Sequence, residues 1–300
     1  MFDRVVLPRD LVDARGTVLA RRGLVISVES VQDVARRAPA LPRLALSETP
    51  IAEDLHLPLA DPPYRHLFRG SGVQAAVARA LLAVRLPQPL FDELLALKGS
   101  DPARYRHGLT TGAVTARLLI AAVGDAPALP DLAGAGLLHD LGMRHLSLHL
   151  ARNGDELDSR EVTEVASHPI LGAWHLASVL GAHPAVEAAL SHHWRNGHGY
   201  PSLPQMPSRA TQVVAVASAF AALTQARAFR SGPFDARGAA DVLISESSAS
   251  RADVNTVRLL VHVLRGATGE VRQVGFGRER LGHAPAVNRY TAIGPLRSHV

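Results

Sequence analysis

The chain has 300 residues, no cysteine, 4% aromatic residues and a formal net charge of +5 carried by arginine, with Lys98 the only lysine. The lack of cysteine excludes a disulfide framework, a cysteine-based zinc finger and a thiol nucleophile, and the length allows one large or two unequal domains with a sizeable core. The arginines are scattered and not interleaved with aromatics, so no nucleic-acid surface is indicated.

No apolar run approaches the roughly 18–20 residues of a membrane span, and Met1-Phe2-Asp3-Arg4 lacks the apolar core of a signal peptide. The expectation is a soluble, cytoplasmic protein with no membrane partner. Residues 1–70 read as a small N-terminal α/β unit plus linker. Val5-Val6-Leu7 and Thr17-Val18-Leu19 are strand candidates on either side of the turn-prone Asp13-Ala14-Arg15-Gly16. Ser27 or Ser30 caps a helix to about Arg37. Residues 46–70, with Pro50, Pro58, Pro62 and Pro63, read as a linker or extended strap.

From Val73 the pattern turns helical. Two short helices, Val73 to Leu86 and Leu90 to Lys98, precede one opened by Asp101-Pro102 and running to about Val123. Asp131 is read as the cap of the next, which stops at Gly142. Ser159 is read as the cap of another reaching about Leu180, with a kink or break at His168-Pro169. Further helices run from Pro184 to His192-His193, from Ser208 to Gln225, from Asp235, and from Arg251-Ala252-Asp253 to about Leu264. The fold class expected is mainly α: a bundle of six or more helices over residues 71–265, preceded by the small β-containing unit and followed by an irregular tail, 266–300.

Histidine carries the functional signal. Of 15 histidines, ten fall between His107 and His198. His192-His193 end an apolar run and are followed by a polar, glycine-rich loop to Pro201. The pair fits a metal site or a solvated helix end equally well. His139-Asp140 can ligate one metal, or bridge two through the carboxylate; a chance dipeptide is the alternative. With His107 on the helix before and His168 on the helix after, ligand-type residues stand on four successive helices, as in bundles that build metal sites from inward-facing side chains. Such an imidazole-rich set with one carboxylate suits iron, manganese, cobalt or zinc better than magnesium or calcium.

The order His107, His139-Asp140, His168-Pro169, His192-His193 and Gly199-Tyr200-Pro201 resembles the HD-GYP family, a branch of the HD phosphohydrolase superfamily. His168-Pro169-Ile170-Leu171-Gly172-Ala173 and the helix from Val214 to Thr224 are similar to further segments of that family, as are Arg227 and Arg230. The resemblance covers roughly residues 100–235. It implies an HD-type helical bundle that hydrolyses cyclic di-GMP or a related cyclic nucleotide with one or two iron or manganese ions, other divalent metals being allowed. By position, His107, His139 and Asp140 hold one metal. Asp140, His168, His192 and His193 hold a second, with His139 and Asp140 catalytic. Arg227 and Arg230 contact the phosphodiester, and the loop Gly197 to Pro201 with Gly199, Tyr200 and Pro201 shapes the nucleotide side. Trp194 stacks on a base or is a packing residue.

Several positions depart from the family. Ser218 stands where the family has an aspartate ligand of the first metal. Met143 stands for a lysine, Ala103 for the glutamate of trinuclear members, and Ala221 for a second aspartate. Two readings therefore stand: a divergent metal-dependent phosphodiesterase, or an inactive module that binds metal, nucleotide or a signalling protein partner and relays a signal. A homodimer is compatible with both.

Overall fold

In the computed structural model, the residues described are 3–146, 157–196, 199–266 and 269–289. Among them the fold is mainly helical, with short strands near the N terminus. β1 (Arg4–Val6) pairs antiparallel with β4 (Val25–Ser27), and β2 (Leu11–Val12) with β3 (Val18–Ala20). The turn before β3 is held by Asp13, whose Oδ1 accepts from the backbone N–H groups of Arg15 and Thr17. Ser27 caps α1 (Val28–Arg37) in a reciprocal box with Ser30.

Residues 46–68 are built into the core and do not form a linker. β5 (Arg43–Ala45) pairs with β6 (Arg85–Pro87). Between them run short 3₁₀ turns and α2 (His56–Ala60), and Leu46, Ile51, Tyr64, Leu67 and Phe68 are fully buried. Pro50 and Pro62 open 3₁₀ turns, where the missing N–H costs nothing. The Tyr64 hydroxyl meets Thr224 Oγ1 at 2.8 Å, in the last turn of α9 (Arg209–Thr224).

α3 (Ser71–Leu82) stops where β6 begins, and α4 (Gln88–Ser100) leads into α5 (Pro102–Val123), capped by Asp101. α6 (Leu129–Leu138) starts earlier than expected. Asp131 lies in its first turn rather than at its cap, where its charge still suits the helix dipole. α6 and α5 pack closely: a Cβ on Gly108 would lie 2.7 Å from the Leu137 carbonyl oxygen, and one on Gly136 2.7 Å from Thr115 Oγ1. That approach brings His107 beside His139.

α7 (Ser159–Leu180) is capped by Asp158, not Ser159. The Asp158 carboxylate accepts from the N–H groups of Arg160 and Glu161, and Glu161 closes the box. α7 is unbroken at Pro169. α8 (Pro184–Ser191), α10 (Ala236–Ser248, capped by Asp235) and α11 (Val254–Arg265, capped by Asp253) complete the helices. The tail is largely irregular as far as 289; residues 290–300 lie outside the described ones.

A buried polar cluster joins the N-terminal turn to the 3₁₀ segment Leu141–His145 that follows Asp140. Glu93 on α4 and His175 on α7 are fully buried. Glu93 accepts from the Ala14 N–H at 2.5 Å and pairs with Arg144 at 2.8 Å. His175 lies 3.8 Å from Glu93 and 2.9 Å from His145 Nε2, and Arg9 donates to the His145 carbonyl. Burial pushes the Glu93 carboxyl up to about 7, opposed by Arg144 and the Ala14 N–H and reinforced by Asp13 and Asp92. Folded Glu93 thus keeps a proton that the unfolded chain has released above its ordinary value of 4.5. Its contribution is fully present below that value and is lost as pH rises to about 7. Across this window the wild type should lose about 3 kcal/mol relative to Glu93→Gln in urea melts. Parallel pH profiles would mean that Arg144 keeps Glu93 ionised.

Candidate metal centre

Five imidazoles and one carboxylate converge where α5, α6, α7 and α8 meet. Asp140, His168, His192 and His193 each offer a ligand atom within 4.8 Å of the others, and so do His107, His139 and Asp140. Asp140 belongs to both groups and divides its oxygens between them. Oδ1 lies 3.2 Å from His168 Nε2 and 3.6 Å from His192 Nε2, while Oδ2 lies 3.9 Å from His107 Nε2. The six sequence-predicted ligand residues are thus brought together.

The local backbone aims the rings. α6 ends at Leu138, so the Gly136 carbonyl has no helical donor, and His139 Nδ1–H donates to it at 2.8 Å. Pro169 has no N–H, which leaves the Val165 carbonyl free inside α7, and His168 Nδ1–H donates to that oxygen at 2.6 Å. The proline therefore supplies an acceptor without breaking the helix. At the end of α8, His192 Nδ1–H is shared between the Ala188 and Ala189 carbonyls. In each case the proton is fixed on Nδ1, and the Nε2 lone pair faces inward.

Burial lowers the pKa of His107, His139, His192 and His193. Desolvation, with the nearby Arg227 charge, takes His107 down to about 4, and desolvation holds His139 and His193 well below the usual range. Burial works the other way on Asp140, but His168 and His192 outweigh it and keep that carboxyl well below its usual value. The result is a surplus of acceptors. His168 Nε2 and His192 Nε2 are 3.3 Å apart beside an ionised oxygen, and His139 Nε2 is buried with no hydrogen-bond partner among the described residues. A cation satisfies such a set, so the donors fit a metal of the iron, manganese, cobalt or zinc type.

Part of the chain is similar to a cyclic-dinucleotide enzyme. Over 132 residues it is 31% identical to the 3'3'-cGAMP-specific phosphodiesterase 1 of Vibrio cholerae serotype O1, a match covering 42% of this chain and 30% of the Vibrio protein. The chain therefore spans less than a third of that relative's length. No protein-family model matches. The distant, partial likeness and the His/Asp cluster together suggest an HD-type phosphohydrolase. No helix among the described residues is long and apolar enough to cross a membrane.

Around the centre, Tyr200 is buried and stacks on His193 with ring centroids 4.5 Å apart. Gly199 sits where a Cβ would lie 2.0 Å from the His193 carbonyl oxygen, so the loop can close only over a glycine. Pro201 is buried beside it, while Gly197 and His198 lie outside the described residues. Ser218 on α9 faces the cluster, its Oγ 3.4 Å from His107 Nε2. Ala221 is buried in the same helix, and Met143 packs its partly buried side chain on the core.

Arg227 lines a cleft of about 660 Å³ with Ala103, Arg106, Tyr105, Gln225 and Asp61. No hydrogen bond or ion pair engages its guanidinium among the described residues. Arg230 is differently placed: it donates to the Ala222 and Leu223 carbonyls at the end of α9 and to Asn288, and lies over Phe229 and Phe234. Trp194 lines a separate cavity with Arg195, Met206, Gln212, Leu243 and Glu246, between α9 and α10.

Proposed function

We propose that the chain is a divergent metal-dependent phosphodiesterase of HD-GYP type, acting on cyclic di-GMP or a related cyclic dinucleotide. The observation that carries this reading is the shared carboxylate: two ligand groups meet at Asp140, one oxygen facing each. Paired metals, when bound, supply an activated water at neutral pH and a clamp on the phosphate oxygens. The chain's own residues do the rest. His107, His139, Asp140, His168, His192 and His193 would hold the ions. The uncommitted guanidinium of Arg227 takes a phosphate oxygen, with Arg106 at the mouth of the same cleft. Tyr200, stacked on His193, closes one wall and excludes water.

Arg227→Ala should weaken cyclic dinucleotide binding about 10- to 100-fold, the worth of a charged hydrogen bond or two, while leaving metal content unchanged. Equal binding by the two proteins would remove the phosphate role from Arg227.

One observation favours a second reading. On α9 the neutral Ser218 hydroxyl faces His107, so the His107–His139–Asp140 position has no second carboxylate among the described residues. A weakly held ion there would leave a module that binds metal and nucleotide, or a signalling partner, without hydrolysis. Elemental analysis of anaerobically purified protein, with turnover of cyclic di-GMP and of 3'3'-cGAMP on the same sample, separates the two. Two iron or manganese ions with turnover supports the enzyme. One ion or none, without turnover, supports the module and overturns the enzyme.

A further inference from the structure

Three of the site imidazoles are aimed by carbonyls of their own helices: Gly136 and Ala189 at helix ends and Val165 opposite Pro169, with His192 also sharing the Ala188 carbonyl with its own backbone N–H. His107 has no such carbonyl. It stands inside the unbroken α5, where the carbonyls one turn back are engaged by the helix itself. Its Nδ1 instead meets Gln225 Oε1 at 3.1 Å, from the residue that ends α9. The other end of that amide is pinned: Gln225 Nε2 donates to Thr110 Oγ1 at 3.2 Å, one turn along α5 from His107. The Gln225 backbone is fixed too. Its N–H donates to the Ala221 carbonyl, and the preceding Thr224 is held by Tyr64.

We infer that Gln225 is a positioning residue that fixes the His107 proton on Nδ1 and thereby sets metal affinity at the His107–His139–Asp140 group. This rests on the metal reading above. The argument is one of acceptors. An amide oxygen held at Nδ1 requires the proton there and leaves the Nε2 lone pair facing Asp140 Oδ2. Without it, the Nε2–H tautomer gains the Ser218 hydroxyl as an acceptor at 3.4 Å, with the Asp140 carboxylate 3.9 Å away to favour the proton there, and His107 ceases to be a ligand. The dependence is heavier here than elsewhere because Ser218 brings no charge to this position. The group of His168, His192 and His193 has no contact with Gln225 among the described hydrogen bonds, so it is unaffected.

The test is manganese titration of the metal-free full chain, with ¹⁵N NMR of the histidine rings on the same protein. The wild type should show two affinity classes and a protonated Nδ1 on His107. Gln225→Met should weaken one class about 10- to 100-fold, the usual effect of losing a partner that orients a ligand, and shift His107 towards the Nε2–H tautomer. Gln225→Glu, which keeps an acceptor, should hold Nδ1–H and retain both classes. Thr110→Val, which frees the amide but keeps it, should fall between; it serves if the methionine variant does not fold. Unchanged affinities in Gln225→Met, or an unprotonated Nδ1 in the wild type, would overturn the role of Gln225 alone. No manganese binding by the wild type would overturn the metal reading with it.

Discussion

Asp140→Asn should strip the centre of metal and cut cyclic dinucleotide hydrolysis by about 10³-fold or more, the scale set by losing a principal electrostatic group at a reacting site. Asparagine keeps the shape of the side chain, so the fold is retained. What goes is the carboxylate of the cluster, the one side chain among the described residues that belongs to both ligand groups. Five imidazoles remain, without an anion to offset the charge of two divalent ions. Elemental analysis and turnover on the same preparation check this. Unchanged metal content would remove Asp140 from the centre, whatever the activity.

The second large effect is a gain. Ser218→Asp with Met143→Lys should raise hydrolysis by about 10²–10³-fold, by restoring a carboxylate beside His107 and a cation next to the Asp140 turn. The new carboxylate would stand on a nearly buried position, 8% exposed, facing His107 Nε2. Burying it without a cation is costly, so the metal-free variant should melt below the wild type and recover on adding manganese, through the preference of the metal for the folded state. Variants that bind metal more tightly yet turn over no faster would place the defect elsewhere, in the loop that follows His193.

The site was more legible than its supports. His107, His139-Asp140, His168-Pro169 and His192-His193 announce themselves because imidazoles are rare enough that an ordered series on successive helices stands out. What aims them is hidden. Gln225 is an ordinary glutamine at a helix end, and its partners are 115 and 118 positions away. Glu93 sits in an apolar helix among Leu90, Phe91, Leu94 and Leu97, where one carboxylate reads as a solvated edge. Only the packing of α4 against the residues after Asp140 shows it buried with Arg144 and His175. Trp194, next to His192-His193 in sequence, is a natural candidate for the nucleotide side. It follows the His pair round the end of α8 and lines a different cavity. Residues 46–68 misled for the opposite reason. Their prolines read as breaks, but four prolines over that stretch leave room for short turns that point Tyr64, Leu67 and Phe68 inward.

That last segment bears on how far the chain is modular. Tyr64, Leu67 and Phe68 are fully buried, and Tyr64 steadies the end of α9 from which Gln225 reaches His107. Grafting the helical part onto another protein, with a cut at residue 71, would therefore leave behind a piece of its own interior and loosen the support of His107. A working transplant has to carry the strap with it, so the natural unit of exchange begins no later than β5.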